Sequence, residues 1–236
     1  LETRLISFSV ITKGATLSAL PVALLLGACG TTPPLRMMEP GEARAPTITT
    51  SPDGRTARTT LSVLTYNIEG LGWPARSGRA GKLAEIGRVL AAMRERGTAP
   101  DVVMFQEMFS GPAKKAVLGT GYPAIITGPH RTTRSRTARK DKLPGKARFS
   151  IGEIGLHLTG SGIAIASRYP IVDIARRAYG KRSCAGIDCL SNKGVMLARI
   201  DMPGLPVAVD LYNTHMNSRG ASKAPAARHR IAHARQ

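Results

Sequence analysis

What most constrains this chain is a recurring pattern. Short β-rich apolar rows end in a side chain able to bind a metal or hold a proton. Leu61, Val63 and Thr65 alternate along one strand face and lead to Asn67. Val103 and Phe105 lead to Glu107, and Val207, Val209 and Leu211 lead to Asn213 and His215. A carboxylate at the edge of a core is costly unless something pairs with it. If these strands are neighbours, Asn67, Glu107 and His215 meet at one rim of the core. Oxygen donors there suit a hard cation such as Mg²⁺, which keeps several of its waters. Taken singly, each residue has a plainer role: a turn cap, an arginine partner, a satisfied edge histidine.

Strands are expected over 61–68, 102–107, 122–127, 162–167, 194–200 and 207–214, with another after the turn at Pro170. Leu83, Ile86, Val89, Leu90 and Met93 recur at helical spacing and predict an amphipathic helix over 81–96. A second helix is expected over 224–236, with His229 and His233 on one face. Many strands with few helices imply stacked sheets with helices outside. Residues 130–148, HRTTRSRTARKDKLPGKAR, hold eight Lys or Arg against one Asp. This island is expected as a solvated loop, with phosphate or anionic-lipid contact as the alternative. The whole chain has 34 Lys+Arg against 15 Asp+Glu, a net charge of +19. That balance invites a polyanionic partner, but an Arg- and Ala-rich composition produces it without one.

The N-terminal part reads as an address. Arg4 and Lys13 precede the apolar run ATLSALPVALLLGAC, which has the n-region and h-region of a signal peptide. The run is too short, and interrupted by Pro21, to be a spanning helix. Its end, LGAC, resembles a bacterial lipobox and implies lipid on Cys29. Residues 1–28 are then a lipoprotein signal peptide. Residues 29–59, rich in Thr, Pro, Ala, Gly and Arg, are a flexible tether, and 60–236 are the domain. An acylated Cys29 would anchor the chain to a membrane. Gly30, where an Asp would favour the inner membrane, points to the outer membrane or cell envelope. Export places the domain in an oxidising compartment, where Cys184 and Cys189 remain as an even pair able to close a small loop. No second Cys pair or nearby His completes a zinc site around them.

The stretches YNIEG, DVVMFQEMF, GSGIAIASRYPI, NKGVMLARI and LYNTHMNS follow one another from about Leu61 onward. In this order they resemble the endonuclease/exonuclease/phosphatase superfamily. DCLSNKG and the NTHM ending resemble its sphingomyelinase and DNase I-like branches. The resemblance implies an α/β fold, a four-layer α/β/β/α sandwich of two sheets with helices on both outer faces. It also implies hydrolysis of a phosphoester with Mg²⁺ (or Mn²⁺). It assigns metal binding to Glu107 and Asn67 and contact with the scissile phosphate to His215. Lys193 and Asn213 are candidate substrate contacts, a surface lysine beside a tight turn being the other reading of Lys193. A phospholipid head group suits the membrane tether, and nucleic acid suits the charge. No obligate protein partner is expected. The family's Asp-x-Asn strand end and its later Asp-His pair do not follow His215, so the domain is expected to be partial. The competing expectation is a non-catalytic surface lipoprotein that keeps the fold as a binding module.

Overall fold

The computed structural model describes residues 35–39, 43–73, 75–137, 141–180 and 182–236. The signal segment and Cys29 lie outside them. A short hairpin, β1 (Thr49–Thr50) and β2 (Ala57–Arg58), precedes the domain. The first sheet contains β3 (Val63–Asn67), β4 (Val102–Gln106), β5 (Ala124–Thr127) and β6 (Ala164–Ser167). Their spatial order is β3-β4-β6-β5, with β3 parallel to β4 and the other pairs antiparallel. Helices α1 (Ala80–Glu95) and α2 (Gly111–Gly119) lie in the β3–β4 and β4–β5 connections. The second sheet is an antiparallel meander of β7 (Ile171–Ala178), β8 (Gly194–Ile200) and β9 (Val209–Thr214). Helix α3 (Ala226–Ala234) closes the described chain.

The central strands are apolar throughout because both of their faces are covered. On one face Val103, Phe105, Ile125, Ala164 and Ala166 pack with Leu83, Leu90, Ala113 and Val117 of the two helices. On the other, Val102, Ile126 and Ile165 pack against Met196, Ala198 and Ile200 of β8. Gly87 lets the helices touch, since a Cβ there would lie 2.6 Å from the Ala116 carbonyl oxygen. Helix α2 was not among the expected elements. Ser110 caps it by accepting from the Ala113 N–H at 3.3 Å, and Pro112 sits in the first turn.

The structure differs from the sequence reading in two places. The row Val63, Thr65, Asn67 is exposed, Val63 by 43%, and it is Leu64 and Tyr66 that pack towards the helices. The reason is position: β3 is an edge strand, and β9 packs over β4. The described part of 29–59 lies on the domain. The Leu35 and Arg36 N–H groups both donate to the Ile125 carbonyl, at 2.9 and 3.1 Å, and Met38 and Ala43 join the inter-sheet core. They cover the free edge of β5, which would otherwise leave its backbone groups bare. Helix α3 packs around Leu143 and Ala185. Val172, Arg199, Asp210 and Tyr212 of the second sheet stay exposed. The two packed sheets with helices on an outer face are those of the expected partial α/β sandwich, with α3 at one end.

Candidate active site

Asn67 ends β3, and Glu107 follows the last residue of β4. The two strands run parallel with Asn67 opposite Gln106, so their C-terminal ends coincide. Simple alternation would send Glu107 to the helix side with Val103 and Phe105. The backbone prevents this: Glu107 has φ 60, in the left-handed region that non-glycine residues seldom enter. Its carboxylate Oε1 instead accepts from Asn67 Nδ2 at 2.9 Å and lies 3.7 Å from His215 Nε2. Asn67 Oδ1 in turn accepts from the Glu69 N–H at 3.0 Å, and Glu69 also has positive φ, 47. Such backbone strain costs about 1–3 kcal/mol per residue and concentrates at functional sites.

His215 follows β9, so it reaches this rim from the second sheet. Its side chain is 18% exposed, and Nδ1 is buried with no hydrogen-bond partner among the described residues. The Phe109 ring stands 6.4 Å away, centroid to centroid. Burial lowers the imidazole's proton affinity, and the nearby Lys193 charge lowers it further, while Glu107 and Asp188 oppose the shift. The net direction is below the ordinary histidine value of 6.5, which leaves a neutral ring at neutral pH.

Lys193 is not a surface lysine: it is only 4% exposed. Its Nζ pairs with Asp188 Oδ1 at 2.7 Å and donates to the Met216 carbonyl at 2.7 Å. Asp188 Oδ2 accepts from the Ser218 N–H at 2.6 Å. Asp188 sits inside the loop closed by the Cys184–Cys189 disulfide, whose Cα atoms are 5.1 Å apart. Lys193 thus contributes a buried positive charge behind His215. Asp188 escaped the sequence reading, although it lies in the same DCLSNKG stretch.

Asn213 is 3% exposed, and both amide hydrogens are spent inside the core. They go to the carbonyls of Phe105 at 3.0 Å and Ala164 at 2.9 Å, while Oδ1 accepts from Gln106 Nε2 at 3.0 Å. With no donor left over, Asn213 bolts β9 to β4 and β6 and is withdrawn as a substrate contact. Gln106 was also missed; it links Thr65 Oγ1 to Asn213 across the sheet gap. Trp73 is 87% exposed on the loop after β3.

No group of three or more His, Cys, Asp or Glu suited to a metal occurs among the described residues. The oxygen donors on this rim are the Glu107 carboxylate and the Asn67 amide oxygen. One carboxylate with one amide carbonyl matches the sparse protein ligation of Mg²⁺, which fills its remaining positions with water and substrate phosphate. The residues fit that ion.

These strand ends gather a carboxylate, an amide and a histidine at one rim of a two-sheet α/β sandwich. The model of the endonuclease/exonuclease/phosphatase family matches residues 64–224, from β3 to the loop before α3, and the chain belongs to that family. A β-hairpin deletion mutant of Staphylococcus aureus beta toxin shares the fold. Its TM-score is 0.55 at 22% identity, over 76% of this chain and 59% of that one. A double mutant of the same toxin with bound magnesium ions aligns at TM-score 0.50 and 24% identity, over 70% of this chain and 52% of that one. SmcL aligns at TM-score 0.50 and 19% identity, over 72% and 53%. The chain therefore spans less than two thirds of the length of each of these structures. Among curated protein sequences, none matches significantly.

Proposed function

We propose that this chain carries the metal-binding residues of an exported, Mg²⁺-dependent phosphoester hydrolase, a phosphodiesterase of sphingomyelinase or nuclease type. The observation that carries the reading is the strained Glu107, turned to meet Asn67 and His215 at one rim. Family membership supports it, as does the magnesium bound in the beta-toxin mutant. Glu107 and Asn67 would hold the ion. When bound, it supplies positive charge to the phosphoryl oxygens, where negative charge grows during cleavage. His215, neutral and desolvated, hydrogen-bonds a phosphoryl oxygen and steadies the transition state. Lys193 raises the local positive potential at His215 and spends two of its three donors on Asp188 and Met216, which leaves one for substrate. The lipobox-like LGAC ending at Cys29 supports the same reading, in which the enzyme is lipid-anchored in the cell envelope.

The test is a magnesium titration of phosphodiester hydrolysis by the full-length protein and its Glu107→Gln variant. The variant is expected to need at least about tenfold more Mg²⁺ and to turn over far more slowly. Equal Mg²⁺ dependence in the two proteins would remove Glu107 from the site. Parallel assays on mixed phospholipid micelles and on DNA assign the substrate class. Mass spectrometry of the mature protein checks for an acylated N-terminal Cys29.

A further inference from the structure

The described residues of the basic island form the exposed loop expected of them, and two anchoring side chains build it into a wall. Asn192 Nδ2 holds its start, donating to the carbonyls of His130 at 2.7 Å and Thr133 at 2.8 Å. Arg228 holds its far part, donating to the carbonyls of Leu143, Pro144 and Gly145. Its acidic residues are neutralised, Asp141 by Arg235 and the following Glu153 by Arg228. Next to the wall stand exposed apolar side chains: Phe149 at 74%, Leu156 at 67%, Leu158 at 59% and Ile187 at 39%. The backbones that carry Phe149, Leu158 and Ile187 lie close together. The Gly152 N–H donates to Phe149, a Cβ on Gly152 would meet the Ile187 Cα at 3.2 Å, and the Leu158 N–H donates to Leu190 at 2.7 Å. Exposed Lys146 and Arg148 border this patch. Leu156 also stands at a cleft of about 1210 Å³ that Arg131, Arg134 and Lys142 line.

Scattered exposed apolar residues are ordinary, but several on neighbouring backbone beside a cationic wall call for a partner. We propose that this surface docks on an anionic lipid bilayer. Aliphatic and aromatic side chains dip into the headgroup–acyl boundary, while the flanking cations meet lipid phosphates. A nucleic acid strand would use the cations and a stacking aromatic, and would leave Leu156, Leu158 and Ile187 without a role. Ile187 adjoins Asp188, whose partner Lys193 acts electrostatically on His215, so the surface and the candidate site share one loop. The proposal does not depend on the reaction, and its test needs no turnover.

The full chain carrying Cys29→Ser, so that no acyl group masks the result, is floated with two kinds of vesicle. One is phosphatidylcholine alone, and the other is phosphatidylcholine mixed with phosphatidylglycerol. Stronger flotation with the mixed vesicles is expected. The variant Phe149→Ser/Leu156→Ser/Leu158→Ser is expected to lose about tenfold or more in partitioning on the same background. The variant Lys146→Gln/Arg148→Gln is expected to lose most of the preference for phosphatidylglycerol. All five side chains are exposed, so circular-dichroism melting should be unchanged in both variants. Flotation of the triple variant equal to its parent would overturn the proposal and assign binding to the N-terminal apolar segment. Binding of a single-stranded oligonucleotide that both variants weaken, with no flotation of the parent, would overturn it in favour of nucleic acid.

Discussion

Replacing Arg228 with Met tests whether a buried ion pair organises the loops around the site. The pair is bidentate, with Arg228 Nε and Nη2 each 2.8 Å from a Glu153 oxygen, and the side chains are 10% and 5% exposed. Removing the cation strands a buried carboxylate, which typically costs about 3–5 kcal/mol. Glu153 keeps two other donors, the N–H groups of Gly186 at 2.8 Å and Arg148 at 2.9 Å, which favours the lower end. A loss of about 3–4 kcal/mol is therefore expected out of the roughly 5–15 that small domains possess. With a urea slope of about 2 kcal/mol per molar, the midpoint falls by about 1.5–2 M at neutral pH. The double variant Arg228→Met/Glu153→Leu should recover most of that loss, since it leaves no unpaired charge. The acid dependence gives an independent check. Burial pushes the Glu153 carboxyl up, but Arg228 and the two N–H groups outweigh it and hold the group below its ordinary 4.5. A lowered folded value means stability that is present above 4.5 and lost as pH falls through the folded value. The gap between wild type and Arg228→Met should thus narrow in acid. A midpoint shift below about 0.3 M at neutral pH, or a gap that persists in acid, would refute the reasoning.

Gly162→Ala puts a Cβ 2.3 Å from the Phe109 ring at a residue with φ +70, so a loss of about 2 kcal/mol or more is expected in thermal or urea unfolding. The same change should move the His215 ring resonances, because Phe109 lies 6.4 Å from that ring; unmoved resonances would show that the two rings are not coupled. In the metal-free chain, NMR titration should find the His215 midpoint below 6.5, and Lys193→Met should raise it; a wild-type midpoint at or above 6.5 would contradict the burial argument. The variant Cys184→Ser/Cys189→Ser should cost about 2 kcal/mol by the loop-entropy relation for so short a loop. Equal unfolding midpoints for this variant and wild type would mean that the bond adds nothing to stability.

Local signals made much of the fold legible. The expected strand at 194–200 coincides with β8, and the periodicity from Leu83 to Met93 falls within α1. The convergence of Asn67, Glu107 and His215 was also readable, because three strand ends carried the pattern. What escaped depended on non-local or backbone facts. Alternation misplaced Glu107 because one left-handed residue reverses a side chain's direction, and composition does not announce it. Asn213 read as a site residue because its target carbonyls, Phe105 and Ala164, are far away in sequence. The basic island is exposed as read, but its anchors, Asn192 and Arg228, lie dozens of residues downstream and left no local signal. Helix α2 did carry a signal, Ser110 followed by Gly and Pro112, but its nine residues show too few turns for periodicity to register.

The order β3-β4-β6-β5 also bears on how the chain is made. Helices α1 and α2 are local and can form as soon as they are synthesised, shielding one face of the early strands. Strand β5 cannot join β4, because the strand that belongs between them does not yet exist. Until Ala164–Ser167 emerges, β4 and β5 each present an apolar edge with no partner. Loop-closure entropy grows only slowly with length, so the long excursion between them costs time more than energy. The interval between synthesis of Thr127 and Ser167 is therefore when the nascent chain is most exposed to aggregation, and it ends when one short strand slides into a gap held open for it.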